Sequence, residues 1–117
     1  MQTEEFDAVA GGVLRKCLIV LKSKGYEYAC EGDRLGGFYR ASDMLGIPPM
    51  DALLGMKVKH DVSVQDLSDR IGSGISIDPE MLDEKITDSI NYLVLFYALA
   101  LEEGKFKDGP AMQQEED

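Results

Sequence analysis

The stretch Asp78-Pro-Glu-Met-Leu-Asp-Glu-Lys-Ile-Thr-Asp-Ser-Ile-Asn-Tyr-Leu-Val-Leu-Phe-Tyr-Ala-Leu-Ala-Leu-Glu-Glu-Gly104 decides the fold class. It opens on a carboxylate able to cap a helix, followed by proline, which the first helical turn tolerates. It closes on Gly104, the residue type that most often ends helices. Between them Leu82, Ile86, Ile90, Leu93, Tyr97 and Ala100 recur at steps of three and four. That period is helical, and it predicts a long last helix over 79–103 with this stripe as its core face. The longest apolar run, residues 92–101, is roughly half of a membrane span.

The same period recurs upstream. Phe6, Val9, Val13, Cys17, Val20 and Leu21 mark a first helix over 4–23, with Lys24-Gly25 as its stop. Gly11-Gly12 inside it implies a close helix approach or a break, since each glycine costs about 1 kcal/mol relative to alanine. Residues 25–33 read as a polar connection, and Asp33 is placed to cap a second helix over 34–45 with Leu35, Phe38, Ala41 and Leu45 on one side. Gly46 ends it. Pro48-Pro49 starts a third helix carrying Met50, Leu53, Leu54, Met56 and Val58 as far as His60. Ser63 and Asp66 resemble a loose capping box for a short helix over 64–70. Gly72-Ser73-Gly74 is a break.

No period-2 segment longer than a few residues occurs, so the expected architecture is all-α. It is an antiparallel bundle of four to five helices with a long C-terminal helix, or a dimer of such units. The 117 residues fit one domain, expected over 1–104, with 105–117 as an acidic, disordered tail. The formal charge of −10 disfavours a protein that tracks long nucleic acid. Residues 1–7 contribute −3 and residues 102–117 contribute −4, which leaves −3 on the body. Lys22, Lys24, Arg34, Lys57 and Lys59 all lie in that near-neutral body, so a phosphate ligand is compatible with the acidic total. Cys17 and Cys30 form no Cys-x-x-Cys motif, and with one histidine no zinc motif exists. Cys17 falls on an apolar stripe and reads as a buried free thiol. The acidic N-terminus lacks the basic start of a secretory signal, so a soluble, cytoplasmic protein is expected.

Glu84, Asp88 and Asn91, spaced by four and three, share one face of the last helix. Two stacked carboxylates repel unless a cation lies between them, so Glu84 and Asp88 are candidate Mg²⁺ ligands, and Asn91 can orient a water. A solvated acidic face is the alternative. In the 22–34 segment, Glu27 is a further candidate carboxylate, Lys24 and Arg34 are candidate phosphate partners, and Tyr26 or Tyr28 can stack on a base. Lys57, Lys59 and His60 near the end of the third helix complement its dipole or form a phosphate-binding edge.

Three segments together resemble a known group. They are Lys24-x-x-Glu27-Tyr28-Ala29 followed by Asp33-Arg34-Leu35-x-x-Phe38, then Ala52-Leu53-x-x-Met56-x-x-Lys59-His60, then Glu84-Lys85-x-x-Asp88-x-x-Asn91-Tyr92-Leu93. The chain is similar to small bacteriophage and prophage proteins related to the all-α nucleoside triphosphate pyrophosphohydrolases, the MazG-like superfamily. That resemblance implies an oligomeric helical bundle holding Mg²⁺ on acidic residues of two helices. It also implies cleavage of a nucleoside triphosphate to monophosphate and pyrophosphate. Asp88 matches the aspartate of the second family motif, Glu-x-x-Asp, whose first position is Lys85 here with Glu84 beside it. Glu-x-x-Glu, the first motif, does not occur in the first half.

The function expected is therefore that of a Mg²⁺-dependent, nucleotide-handling phage-type protein, with nucleotide pyrophosphohydrolysis as its candidate activity. Glu27, Glu84 and Asp88 would hold metal, with Glu84 and Asp88 catalytic. Lys24, Lys57, Lys59 and Asn91 would bind substrate. The alternative, favoured by the missing motif, is a non-enzymatic phage accessory protein, a helical oligomer that binds a nucleotide or a host protein. Either reading expects a nucleotide ligand, a homo-oligomer, no extended nucleic acid and no membrane. For a phage-encoded chain the location expected is the host cytoplasm.

Overall fold

In the computed structural model, which describes residues 1–28 and 32–104 and their side chains except those of 26–28, four helices follow one another. They are α1 (Thr3–Tyr28), α2 (Gly36–Leu45), α3 (Pro49–Gly72) and α4 (Pro79–Glu102). The chain is all-α, with no strand among the described residues. No helix there is long and apolar enough to cross a membrane.

The start and stop chemistry of α4 is as the sequence requires. Asp78 takes an extended backbone and its carboxylate accepts from the Glu80 amide at 3.0 Å, while Pro79 fills the first position. Pro49 does the same for α3. Gly46 closes α2 with φ of +66°, and its N–H donates to the Ser42 carbonyl at 2.9 Å.

Four local expectations are corrected. First, α1 does not stop at Gly25 but continues to Tyr28. One glycine without a proline costs only about 1 kcal/mol, too little to end a helix that finds a tertiary contact. The contact is Arg34, whose Nε would lie 3.1 Å from a Cβ at Gly25. Second, a Cβ at Gly11 or Gly12 would meet nothing within 4 Å, so neither a close approach nor a break occurs there. Third, α3 runs unbroken through Ser63, giving four helices rather than five. The Ser63 hydroxyl donates to the Lys59 carbonyl one turn back, which keeps it inside the helix. Fourth, α2 starts at Gly36, and Asp33 caps the turn before it by accepting from the Leu35 amide at 2.9 Å. The tail and Cys30 lie outside the described residues; Cys17 is a buried free thiol.

The core joins three helices. Leu35 and Phe38 at the start of α2 meet Leu53 of α3 and Leu99 of α4, with Leu53 and Leu99 wholly buried. Met50, Tyr92, Leu95 and Phe96 pack around them. α3 and α4 run antiparallel, since Arg70 meets Met81 at one end and Leu53 shares the cluster with Leu99 at the other. Tyr39 donates to the Glu102 carboxylate at 3.0 Å and ties α2 to the end of α4.

The stripe read as α4's core face does not face this core. Thr87, Asn91 and Leu99 are the buried α4 residues, whereas Leu82, Leu93 and Tyr97 are exposed. The C-terminal half of α4 is apolar on every side, and a helical period does not say which of two apolar faces the chain itself covers. On α1 only Cys17 of its stripe is buried, and Phe6 is 59% exposed.

Leu53→Ala is expected to cost roughly 2–5 kcal/mol of unfolding free energy, because it opens a cavity where three helices meet. Met44→Ala, at a position 85% exposed, is expected to stay within about 0.5 kcal/mol. Urea titration followed by circular dichroism checks both.

Candidate functional site

The site begins with a buried amide. Asn91 is 7% exposed, in the middle of α4, where its polar group needs a partner. It finds one on another helix: Nδ2 donates to the Cys17 carbonyl of α1 at 3.1 Å. The amide orientation follows, because the oxygen cannot face a carbonyl. Asn91 Oδ1 is left buried with no protein partner. This bond fixes α1 against α4 and aligns the next two turns of both helices. Lys24 Nζ then lies 3.6 Å from Asp88 Oδ1. Nearer the start of α4, Lys16 pairs with Asp83.

Beside this seam lies a cleft of about 600 Å³ to which all four helices contribute. Such a volume suits a small molecule. α1 brings Val20, Leu21 and Lys24. Arg34, Gly37 and Phe38 come from α2 and the turn before it. α3 contributes Gly55, Met56, Lys59 and His60, and α4 contributes Asp88, Asn91, Tyr92 and Leu95. Among the described residues, three cationic side chains thus face one carboxylate, inside a chain whose formal charge is −10. Arg34 lies close over Gly25, where a Cβ would stand 3.1 Å from its Nε and require that side chain to shift slightly.

The rings form one wall. His60 and Tyr92 lie 4.7 Å apart between centroids with planes at 35°, and Phe38 meets Tyr92 edge-on at 6.4 Å. His60 Nδ1 is 3.9 Å from Asp88 Oδ2, too far for a hydrogen bond. Burial holds the imidazole below its ordinary value of 6.5; Asp88 pulls it up, while Lys59, Lys24 and Lys85 push it further down. The ring is therefore neutral at pH 7.

Of the residues expected from sequence, the fold brings Lys24, Lys59, Asp88 and Asn91 to the cleft. Two are left out. Glu84 is exposed one turn before Asp88 and is not in the cleft wall. Lys57 points off the cleft face of α3 and pairs with Asp61 on its own helix. The Glu27 side chain lies outside the described residues. Among the described residues no three His, Cys, Asp or Glu side chains gather as a metal site. Asp88, the one carboxylate among the described residues of the cleft wall, is already turned to Lys24 and His60. The described side chains therefore do not fit a Mg²⁺ ion held by the protein alone.

Arg34, His60 and Tyr92 are functional candidates whose convergence spacing did not reveal. Lys59-His60 and Asp88-x-x-x-Tyr92 are each ordinary on their own helix. What joins them is the antiparallel α3–α4 pairing. The chain matches no family model, no curated protein and no solved structure.

His60 is the chain's single histidine, so its titration is read directly by NMR. Its midpoint is expected below 6.5, and Asp88→Asn is expected to lower it further by removing the group that pulls it up. The unfolded chain binds this proton more readily than the folded one. Stability therefore falls as pH drops from neutrality through 6.5 toward the folded-state value. His60→Gln is expected to flatten that part of a stability–pH profile.

Proposed function

We propose that this protein binds a nucleotide in the four-helix cleft. The phosphates lie against Lys24, Arg34 and Lys59, and the base lies against the His60–Tyr92 wall. The observation that carries this reading is the local reversal of charge: among the described residues, three cations and one carboxylate line a mostly apolar cleft, in a chain of net charge −10. Charge-assisted contacts from Arg and Lys are the common means of holding phosphate, and an aromatic wall supplies a stacking surface. The cleft is bounded by faces of all four helices, and its volume of about 600 Å³ suits a mononucleotide rather than an extended strand.

Binding is the part of the resemblance that the cleft supports best. The pyrophosphohydrolase reading needs Mg²⁺ held between acidic residues, and the described side chains offer the cleft Asp88 alone. Asp88 instead sets the spacing of the wall by holding Lys24 on one side and facing His60 on the other. A phosphate in the cleft would add negative charge beside His60 and favour its protonated form, so binding tightens as pH falls toward the imidazole's own midpoint. The protein is further proposed to act as a homo-oligomer in the cytoplasm, since α4 keeps a second apolar face in water.

Calorimetric titration with nucleoside mono-, di- and triphosphates, with and without Mg²⁺, tests the reading. Lys59→Ala and Arg34→Ala are each expected to weaken binding by about tenfold or more, the scale of a lost hydrogen bond to a charged group. Arg70→Ala, at a position outside the cleft, leaves it unchanged. No heat with any nucleotide, or full affinity in Lys59→Ala, removes the proposal. Release of pyrophosphate in the Mg²⁺ arm would restore the hydrolase reading.

A further inference from the structure

We infer that Asp88 reads the base: the cleft takes a guanine nucleotide, whose ring N1–H and exocyclic 2-amino group both donate to the Asp88 carboxylate while the ring lies on the His60–Tyr92 wall. The inference rests on the nucleotide reading above and names the base within it.

Asp88 carries acceptor capacity that the described residues leave unused. Its side chain is 16% exposed, and a carboxylate so far out of water ordinarily accepts hydrogen bonds. Among the described residues, the nearest cationic groups stand outside that range. Lys24 Nζ is 3.6 Å from Oδ1, and His60 Nδ1 is 3.9 Å from Oδ2. Both oxygens therefore keep lone pairs for a ligand in the cleft that Asp88 lines. An ionised carboxylate only accepts, so the ligand group that meets it has to be a donor.

Position makes that group part of the base. Asp88 stands one turn before Tyr92 on the same face of α4, and His60 packs on Tyr92 at 4.7 Å between centroids. The carboxylate thus lies at the margin of the aromatic wall, where the edge of a base on that wall comes within reach. A phosphate is repelled from this margin by the like charge and goes to Arg34 and Lys59 instead. Lys24 has three N–H donors, so it can face a phosphate and Asp88 together.

Two carboxylate oxygens side by side call for two donors side by side. Guanine offers them, because N1–H and the 2-amino group adjoin on one edge. Adenine and cytosine each place an amino group beside a ring-nitrogen lone pair, which a carboxylate repels. Uracil and thymine place one N–H between two carbonyls. A base that lacks a donor leaves a buried acceptor unpaired, which is the penalty by which hydrogen-bonding sites discriminate best.

Calorimetric titration at pH 7 without added metal, comparing GTP, ITP, ATP, CTP and UTP, tests this. GTP is expected to bind at least about tenfold more tightly than ATP, CTP or UTP, the scale of one hydrogen bond to a charged group. ITP keeps N1–H but lacks the 2-amino group, and is expected to fall between. Asp88→Asn keeps the side-chain shape and offers one acceptor and one donor, which match the N1–H and 2-carbonyl of xanthine. It is expected to lose the preference for GTP over ATP and to shift the XTP-to-GTP affinity ratio upward by about tenfold or more. Circular dichroism checks that the variant keeps its helices. 1-Methyl-GTP with the wild type repeats the test without any variant, and is expected to bind no more tightly than ATP. Five triphosphates bound alike, or a preference for another base, overturns the inference and leaves the nucleotide reading standing. Heat with none of them removes both. A guanine preference that survives in Asp88→Asn, or an equal loss of all five in that variant when folded, also overturns the inference, since neither leaves Asp88 reading the base.

Discussion

The Asn91 amide has to leave water when α4 packs, and no group on its own helix can take its N–H. The Cys17 carbonyl on α1 does, at 3.1 Å, and this requirement fixes how the longest helix of the chain meets the most central one. Carbonyls have two lone pairs, so Cys17 can serve α1's own ladder and Asn91 together. A misregistered α1 would strand a buried amide at a cost of about 1–3 kcal/mol. Apolar contacts alone are far less selective about register. The seam in turn sets Lys24 beside Asp88. On the other side of α4, Leu99 meets Leu53, Leu35 and Phe38, and this cluster fixes α2 and α3. The cleft is the space left between the polar seam and the apolar cluster.

Electrostatics follow from that placement. The cleft gathers cations from two separate helices and one turn, while most of the chain's acid stays on the ends and on exposed helix faces. Burial, with help from Lys59, Lys24 and Lys85, outweighs the pull of the Asp88 carboxylate 3.9 Å away and holds His60 below its ordinary value, so the neutral ring prevails at pH 7. An anion entering the cleft would meet fixed positive charge from Lys24, Arg34 and Lys59 together with a neutral ring able to gain a proton. That combination suits a phosphate.

Much of the fold was legible in the sequence because helix ends are local. Asp78-Pro79, Pro49 and Gly46 act within one turn, and each does in the structure what its chemistry requires. Signals weaker than these failed where tertiary contacts outweighed them. Gly25 looked like a stop and serves instead as the flat spot over which Arg34 lies. Ser63 looked like a cap and bonds backward inside α3. The site was half legible. Lys24, Lys59, Asp88 and Asn91 stood out as chemistry at helical spacing and do converge. Glu84 shares a face with Asp88 on paper, yet the cleft ends before it does, and Lys57 is held by its own i+4 partner.

The sequence by itself determined that the chain is all-α, where α3 and α4 begin, where α2 and α4 end, and that its basic residues sit in a near-neutral body between acidic ends. These follow from periodicity, capping chemistry and charge counting, all of which act over a few residues or over the whole composition. Only the tertiary structure decided which face of α4 meets the chain's own core. Two apolar faces look alike to a 3.6-residue period, and the choice falls to the buried hydrogen bond of Asn91 and the packing of Leu99. The same choice puts Arg34, His60 and Tyr92 around one cleft, because they stand on three different segments and only the packing of helices across the bundle brings them together.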